Sequence, residues 1–569
     1  MQLHYKRLPH MPPLLAALQV ALLCTLTPLA VQAAGPVVPD AGSMLQQLQP
    51  ATPPAASSSG TGLTIEGQDG ARLPSGVSFE VKTFRITGNT LFETATLQAL
   101  VADGQGITQT LGTLGKLAAR ITDYYRSHGY PLARALIPAQ TIQGGVVHIE
   151  IIEARYGRIS LDNRSRVQHG LLQDTLASLQ SGQSIAQTEM DHALLLLSDI
   201  PGVLVNATLK PGETVGSSDF LVSTTPGPAI SGNAVLDNYG NRYTGRARIG
   251  GTVNVINPLH HGDTFSVSGL SSGEGMNYAR LGYEVLLSGQ GTRLGGSWSA
   301  LHYVLGESLV ALDAHGTAQV ACLWAKHPLL RSREVNLYGQ LQYDQMQLRD
   351  HIDASAIKTD RTLQNWTLSL TGDARDALLS GGINTWSLGW TTGRVGFDDA
   401  AAQLADATTA NTQGDFSKWN ASLARLQSLS ASSTLYLAFS GQWTHTNLDS
   451  SQKMSVGGPY TVRAYDMGAV SGDSGYVVSA EYRHAMGAAW GGQWTAVAFI
   501  DSAQIEVNKR LWVAGVNSAS LSGAGVGLNW SGVDQWSARA NLAAPLGATP
   551  ELLGTTDTAR AWVELSRRF

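Results

Sequence analysis

Residues 335–344 of this chain read Val-Asn-Leu-Tyr-Gly-Gln-Leu-Gln-Tyr-Asp, with apolar or small side chains at every second position and polar ones between them. Residues 435–444 and 366–371 repeat the alternation. In an extended strand it separates the two sets onto opposite faces, and about ten such residues can cross a membrane at a tilt. The polar set is mostly Asn, Gln, Ser, Thr and Tyr, which suits a water-filled lumen better than the charged exterior of a soluble β-sandwich. The stretch therefore favours a transmembrane β-barrel.

The same alternation of apolar and polar residues recurs from residue 228 to residue 569. At about 21 residues per strand and connection, this region allows roughly 16 antiparallel strands, so we expect a mainly β fold. The composition agrees, because the 569 residues include 62 Gly and 13 Trp while only 14% are charged. The last strand alternates and ends in Phe569, which resembles the C-terminal signal that hands outer-membrane proteins to the barrel assembly machinery. Arg567 departs from that pattern, since an apolar residue is usual there.

The N-terminal residues predict export from the cytoplasm. Residues 1–33 have the basic start, apolar core and small-residue cleavage site of a signal peptide. Residues 34–76 are rich in Pro and Ser and predict a linker, in which residues 43–49 form a short helix with Ser43 as its N-cap. The mature net charge of −7 gives no reason to expect a nucleic-acid partner.

Between the linker and the barrel lie two copies of one α/β pattern, residues 77–154 and residues 155–226. Each copy reads as a strand, two helices and two strands. In the first copy we expect a strand over 79–86 and helices over 93–101 and 114–128. The chain is thus predicted to place two mixed modules before the barrel.

Motifs for catalysis and metal binding do not hold up. Ser271 lies in a Gly-x-Ser-x-Gly sequence, but no helix follows it, and His260, His261 and Asp263 fit a turn after Asn257. We find no phosphate-binding loop, zinc motif or dinucleotide fingerprint. The sequence therefore predicts neither an enzyme, nor a cofactor, nor a metal site.

A loop arginine and a strand aspartate form a stronger candidate for a functional site. The loop over residues 456–475 contains Gly457 and Gly458, which let it fold back, and also Arg463. A later strand carries Asp501, whose charge is too costly on a lipid face, so that face points into the lumen. A guanidinium is the best partner for a carboxylate there. The residues alone leave two interpretations open: an Arg463–Asp501 pair, or an exposed loop arginine and an unrelated lumen acid.

The whole mature chain resembles the outer-membrane translocators of two-partner secretion, the haemolysin secretion/activation family of the BamA-type superfamily. The resemblance rests on a Val-Arg-Gly-Tyr-like loop tip and a Phe-x-Asp barrel motif, whose residues here are Val462, Arg463, Tyr465, Phe499 and Asp501. Residues 237–246 and 194–202 also look like family hallmarks. Ala464 and Ala503 stand where the family usually has Gly, so the loop and its docking strand depart from the family pattern at these two positions.

The resemblance implies a 16-stranded barrel in outer-membrane lipid with two periplasmic POTRA domains. These domains capture an unfolded secreted partner, which then passes out through the barrel. At rest the loop lies in the lumen with Arg463 on Asp501, and a helix over 44–49 is a second plug in some members. A β-barrel insertase and a passive porin or receptor remain as alternatives. The cargo, its activation during transport and the oligomeric state stay open.

Overall fold

The structure, a computed structural model, describes residues 38–48, 62–65 and 78–569. The expected signal peptide, residues 1–33, and most of the expected linker lie outside the described residues. None of the helices in the described part of the chain has the length and apolar character that a membrane-spanning helix needs.

Two short elements lie within the expected linker, α1 (Ala41–Leu48) and β1 (Gly62–Ile65). The prediction that Ser43 caps the helix is wrong, because α1 begins before it. Asp40 takes that place: its carboxylate accepts from the N–H of Ser43 (2.9 Å), and the Ser43 hydroxyl accepts from the N–H of Asp40 (2.9 Å). This reciprocal pair satisfies two backbone donors, which a cap at Ser43 leaves unpaired.

The first α/β module has two small sheets. Its elements are β2 (Ser78–Val81), β3 (Thr83–Thr87), α2 (Thr94–Ala99), β4 (Ile107–Thr110), α3 (Leu111–Ser127), β5 (Arg134–Leu136) and β6 (Val146–Ile152). The predicted strand over 79–86 is divided at Lys82, because β2 pairs with β4 whereas β3 pairs in parallel with β6. The strand β4 was not predicted.

Glu153 holds the segment that leads into α2. Its carboxylate accepts hydrogen bonds from the N–H groups of Thr90 (2.7 Å) and Leu91 (2.9 Å) and from the hydroxyl of Tyr125 (2.7 Å). Burial acts to raise the pKa of this carboxyl, but the hydrogen bonds from Thr90 and Leu91 lower it overall. The charged form therefore stabilises this module, and the contribution is lost as the pH falls through the lowered pKa.

The second module consists of β7 (Arg155–Asn163), α4 (His169–Leu176), α5 (Gln187–Ser198), β8 (Val203–Pro211) and β9 (Ser217–Pro226). Its sheet has the order β1-β8-β9-β7. The strand β1 lies within the expected linker and was not predicted; it pairs in parallel with β8. Leu63 and Ile65 pack against the core of the module, and this apolar burial explains why the segment is a strand.

Sixteen strands form a closed barrel, in which β10 pairs with both β11 and β27, so the predicted fold class is confirmed. The first eleven are β10 (Ile230–Asp237), β11 (Arg248–Ile256), β12 (Thr264–Ser271), β13 (Met276–Leu286), β14 (Arg293–Val304), β15 (Ala314–Arg331), β16 (Val335–Ile352), β17 (Ile357–Asp376), β18 (Gly382–Phe397), β19 (Gly414–Ser428) and β20 (Ser433–Thr444). A helix, α6 (Ala400–Ala407), lies between β18 and β19. A separate ribbon follows β20 and consists of β21 (Met454–Val456) and β22 (Val470–Gly472). The barrel then continues with β23 (Ser474–Ala489), β24 (Gly492–Glu506), β25 (Ser518–Gly532), β26 (Trp536–Pro545) and β27 (Arg560–Arg568).

The two faces of the wall are clear on β17. Arg361 is buried on the inner face, while Trp366 and Leu368 on the outer face are 51% and 55% exposed. Outer positions are polar from Lys358 to Gln364 and apolar or small from Trp366 to Ala374. The edge of the lipid zone therefore lies near Trp366. From Gln364 back to Lys358, β17 lies in water. We call this end of the barrel the distal end; it is opposite the end at which β10 follows the α/β modules.

Candidate functional site

The connection between β20 and β23 folds back into the barrel. Gly457 and Gly458 have φ values of +101° and +107°, a region that side chains disfavour. A Cβ on Gly458 would also lie 2.9 Å from the sulfur of Met467. The turn between β21 and β22 carries Val462 and Tyr465, which are buried in one apolar cluster with side chains of β24 and β25. The two glycines thus permit the bend that brings the loop tip to the inner wall.

Arg463, at this tip, meets Asp501 on the inner face of β24. Nε lies 2.8 Å from Oδ2, and Nη2 lies 2.7 Å from Oδ1. The backbone N–H of Arg463 also donates to Oδ2, at 3.2 Å. Asp501 is only 1% exposed. The pair is therefore a buried, two-pronged ion pair, the strongest form that this chemistry takes.

Further groups surround Arg463, among them Ser479, whose hydroxyl accepts from Nη2 (3.3 Å). Nη1 of Arg463 donates to Oε1 of Glu481 (2.6 Å), and its guanidinium carbon lies 3.4 Å from the ring centroid of Phe499. The indole N–H of Trp562 donates to the carbonyl oxygen of Arg463 (2.7 Å). Glu481 in turn accepts from Nε of Arg483 (2.8 Å). We call Arg463, Glu481, Arg483 and Asp501 the Arg463 cluster; its two cations and two carboxylates balance.

Asp466 gives the loop a second attachment. Its carboxylate lies 2.7 Å from Nη1 of Arg246, in the connection between β10 and β11, and 2.6 Å from Nη1 of Arg560 on β27. These contacts tie the loop to β27 and to the connection that follows β10, next to the place where the barrel closes. Arg246 is the last residue of the hallmark stretch 237–246, and no local pattern in the sequence predicts its contact with the loop.

The helix α1 also lies inside the barrel. Ala41 and Met44 are buried among inner-face side chains that include Tyr303 and Leu348. The wall residue Arg361 holds the start of the helix, with Nη2 2.7 Å from Oδ2 of Asp40.

The same guanidinium is shared with two more carboxylates. Arg361 Nη1 lies 2.6 Å from Oδ2 of Asp350, and its Nε lies 2.5 Å from Oδ2 of Asp449. Asp350 also accepts from the N–H of Ala41, at 2.8 Å. We call Asp40, Asp350, Arg361 and Asp449 the Arg361 cluster. Three carboxylates depend on one cation, so this cluster is not balanced.

The helix and the loop touch each other. The side chain of Gln46 donates to the carbonyl oxygen of Ser451, and a Cβ on Gly468 would lie 2.6 Å from Nε2 of Gln47. Gln47 also accepts from the amide of Asn241 (3.2 Å). The two occupants of the lumen are therefore in contact at the distal side.

The structure brings most of the expected site residues together. Val462, Arg463, Tyr465, Phe499 and Asp501 meet at the loop tip. Phe569 lies elsewhere: its carbonyl oxygen and N–H exchange hydrogen bonds with Gly232 (2.9 and 3.0 Å), next to the seam of β10 and β27.

The two alanines that depart from the family pattern are accommodated. Neither Ala464 nor Ala503 has a positive φ, and both are buried. A Cβ on Gly523 of β25 would collide with the Cβ of Ala464. The methyl group on the loop thus fills space that a glycine on the wall leaves open.

Sequence reasoning missed Glu481, Trp562 and the Arg361 cluster. A signal exists for Glu481, since it occupies an inner position of the alternating strand β23, where a carboxylate requires a cation.

Comparisons with known proteins agree with this architecture. The model of the family "Haemolysin secretion/activation protein ShlB/FhaC/HecB" matches residues 216–530, more than half of the chain, and that of "POTRA domain, ShlB-type" matches residues 79–154. The heme/hemopexin transporter protein HuxB of Haemophilus influenzae is 26% identical over 541 residues, covering 93% of this chain and 95% of HuxB. The outer membrane transporter CdiB of Escherichia coli is 23% identical over 416 residues, covering 70% of this chain and 68% of CdiB. The solved structure of CdiB from Escherichia coli has the same fold, with a TM-score of 0.67 at 19% identity over 92% of this chain and 93% of CdiB.

Proposed function

The chain belongs to the haemolysin secretion/activation family, and on that premise we propose how its parts act in the export of a secreted partner protein. It is an outer-membrane transporter whose N-terminal POTRA domains lie in the periplasm, so the distal end of the barrel faces the outside.

The observation that carries the mechanism is the double occupation of the lumen. The loop tip and α1 both lie inside the barrel, each held by a buried arginine. We propose that this is a closed resting state and that the Arg463–Asp501 pair is its gate. Opening then requires that both guanidinium groups exchange their carboxylates for water or for polar groups of the passing chain.

Capture of the partner uses backbone chemistry. An unfolded chain is extended and can add a strand to a free sheet edge of a POTRA module, which gives backbone hydrogen bonds with little demand on its sequence. The polar inner wall then presents few apolar surfaces to which the chain can adhere. Folding of the partner outside drives the movement. Phe569, the last residue of the barrel, is in this proposal the signal read by the assembly machinery.

The cargo is the part that experiment must supply. HuxB is by its name a heme/hemopexin transporter, and its match spans 93% of this chain, so we propose a haem-acquiring exoprotein before a contact-dependent toxin. The test co-expresses the chain with one exoprotein of each class and measures each protein in the culture medium, with cells lacking the chain as the control. Export of the haem-acquiring protein supports the proposal. Retention of both proteins in the periplasm contradicts it.

A further inference from the structure

Two histidines face each other across neighbouring strands at the distal end. His315 on β15 is directly opposite His351 on β16, with ring centroids 5.3 Å apart and an interplanar angle of 78°. Asp353 follows two residues after His351. One ligand atom from each of these three residues lies within 4.8 Å of the other two. Two ligands of one Zn²⁺ stand at most about 4.2 Å apart, so small side-chain rotations bring the three onto one ion.

The pair lies on the outer face and in water. Neighbouring Asp350 points inward, where it contacts the Arg361 cluster, so His351 points outward. Between His351 and the first outer aromatic residue, Tyr343, the outer positions of β16 are Arg or Gln. The histidines therefore stand beyond the lipid zone and are open to ions from the outside.

Two contacts prepare these side chains for a cation. Nδ1 of His315 lies 3.4 Å from the carbonyl oxygen of Asp313, which can only accept, so this contact puts the proton on Nδ1 and leaves Nε2 free as a ligand. Asp360, on β17, has a buried Oδ1 without a hydrogen-bond partner among the described residues. That atom lies 3.6 Å from Nε2 of His351. A buried carboxylate oxygen is rarely left unpaired, and a metal ion satisfies it.

We propose that His315, His351, Asp353 and Asp360 form a binding site for a divalent first-row transition metal ion. Two imidazoles with two carboxylates favour Zn²⁺, Cu²⁺ or Ni²⁺, whereas Mg²⁺ and Ca²⁺ prefer oxygen ligands alone. The bound ion ties β15, β16 and β17 together outside the membrane.

No short motif in the sequence predicts this site, because its ligands are separated in the chain and meet only through the register of the strands. Two neighbouring cations oppose the ion. On the outer face, Lys358 of β17 is opposite His351 and Arg349 of β16 is opposite Asp360, and both charges lower the affinity for a cation.

The test is calorimetric titration of the full-length chain in detergent with Zn²⁺, using a purification tag without histidine. We expect one Zn²⁺ per chain and at least about a tenfold loss of affinity in His315→Ala and in His351→Ala. The control is His445→Ala, which changes an exposed distal histidine just after β20 and leaves the affinity unchanged. Lys358→Ala is expected to bind Zn²⁺ more tightly.

Two further measurements serve as controls. In gels, each variant must keep the heat-sensitive mobility of a folded barrel. With Co²⁺ in place of Zn²⁺, the visible absorption band of the bound ion seen in the unaltered chain must be absent in His351→Ala. Absence of saturable Zn²⁺ binding in the unaltered chain overturns the proposal. So does equal binding by the variant that lacks both His315 and His351. Neither outcome bears on the export function, because the site lies outside the lumen.

Discussion

The two occupants of the lumen are held by opposite arrangements of charge. In the Arg463 cluster the loop supplies Arg463, and the wall supplies both carboxylates and the second cation, Arg483. In the Arg361 cluster the cation belongs to the wall, and the helix supplies Asp40. The attachment to the chain also differs. The loop is joined to β20 and β23, whereas α1 precedes both POTRA modules and is connected to the barrel only through them.

This difference indicates which occupant leaves first. The Arg463 cluster is balanced and closed by a two-pronged bond, while the Arg361 cluster has three carboxylates around one guanidinium. Repulsion among those carboxylates opposes the hold on α1. The helix can also withdraw as a unit, but the loop can only be displaced and return. We therefore expect the helix to be the more easily released plug and the loop to be the last barrier.

Of the variants that test this comparison, Arg361→Ala should have the largest effect on the closed state. It leaves three carboxylates without a cation, and loss of one partner from a buried ion pair costs about 3–5 kcal/mol. We expect α1 to leave the lumen and the single-channel conductance in planar bilayers to rise. The control is Arg394→Ala, which removes an arginine from a pair with Asp415 whose side chains are each 72% exposed, and such a pair contributes only about 0–1 kcal/mol. Equal conductance of the two variants contradicts the assigned role of Arg361.

Gly523→Ala tests whether the loop tip is docked against β25, because it changes the shape of the wall and no charge. The new Cβ collides with that of Ala464, and overpacking of this kind costs about 1–3 kcal/mol. We expect a higher open probability of the channel with an intact barrel. The double variant Gly523→Ala/Ala464→Gly removes the collision and should restore the closed channel. Failure of this rescue shows that the loop tip is not docked against β25.

Asp40→Asn should have the smallest effect and separates charge from capping at α1. Asn caps helices as well as Asp, so the variant keeps the cap and loses only one ion pair, which is partly exposed to water. We expect the closed state to weaken by about 1 kcal/mol, seen as more frequent brief openings. The matched control is Asp415→Asn. If Asp40→Asn opens the channel as fully as Arg361→Ala, the three-carboxylate account of the helix is wrong.

The barrel was predictable because its signal is local. Alternation along a strand, as in residues 335–344, states directly which face meets lipid. This alternation predicted only part of the candidate site. Alternation places Asp501 in the lumen, but the choice of Arg463 as its partner came from the family resemblance.

The other contacts inside the lumen could not be predicted from the sequence, for a physical reason. Asp40, Asp350, Arg361 and Asp449 lie far apart in the chain, and only closure of the barrel brings them around one point. Short strands such as β1 and β4 likewise depend on distant partners. At α1 local propensity favoured Ser43 as the cap, whereas in the structure Asp40 takes that place and also contacts the distant Arg361.

The most direct test of the gate is Asp501→Asn, compared with Asp415→Asn, in a paired measurement of partner secretion and single-channel conductance. Asp501→Asn leaves the buried Arg463 with Glu481 as its only strong acceptor, whereas Asp415→Asn alters an exposed pair of the same chemistry. We predict that Asp501→Asn assembles a normal barrel, exports at least about tenfold less partner and has an altered conductance, because the loss of a buried partner costs about 3–5 kcal/mol. Asp415→Asn should change neither quantity. Normal secretion together with unchanged conductance in Asp501→Asn would contradict the gate.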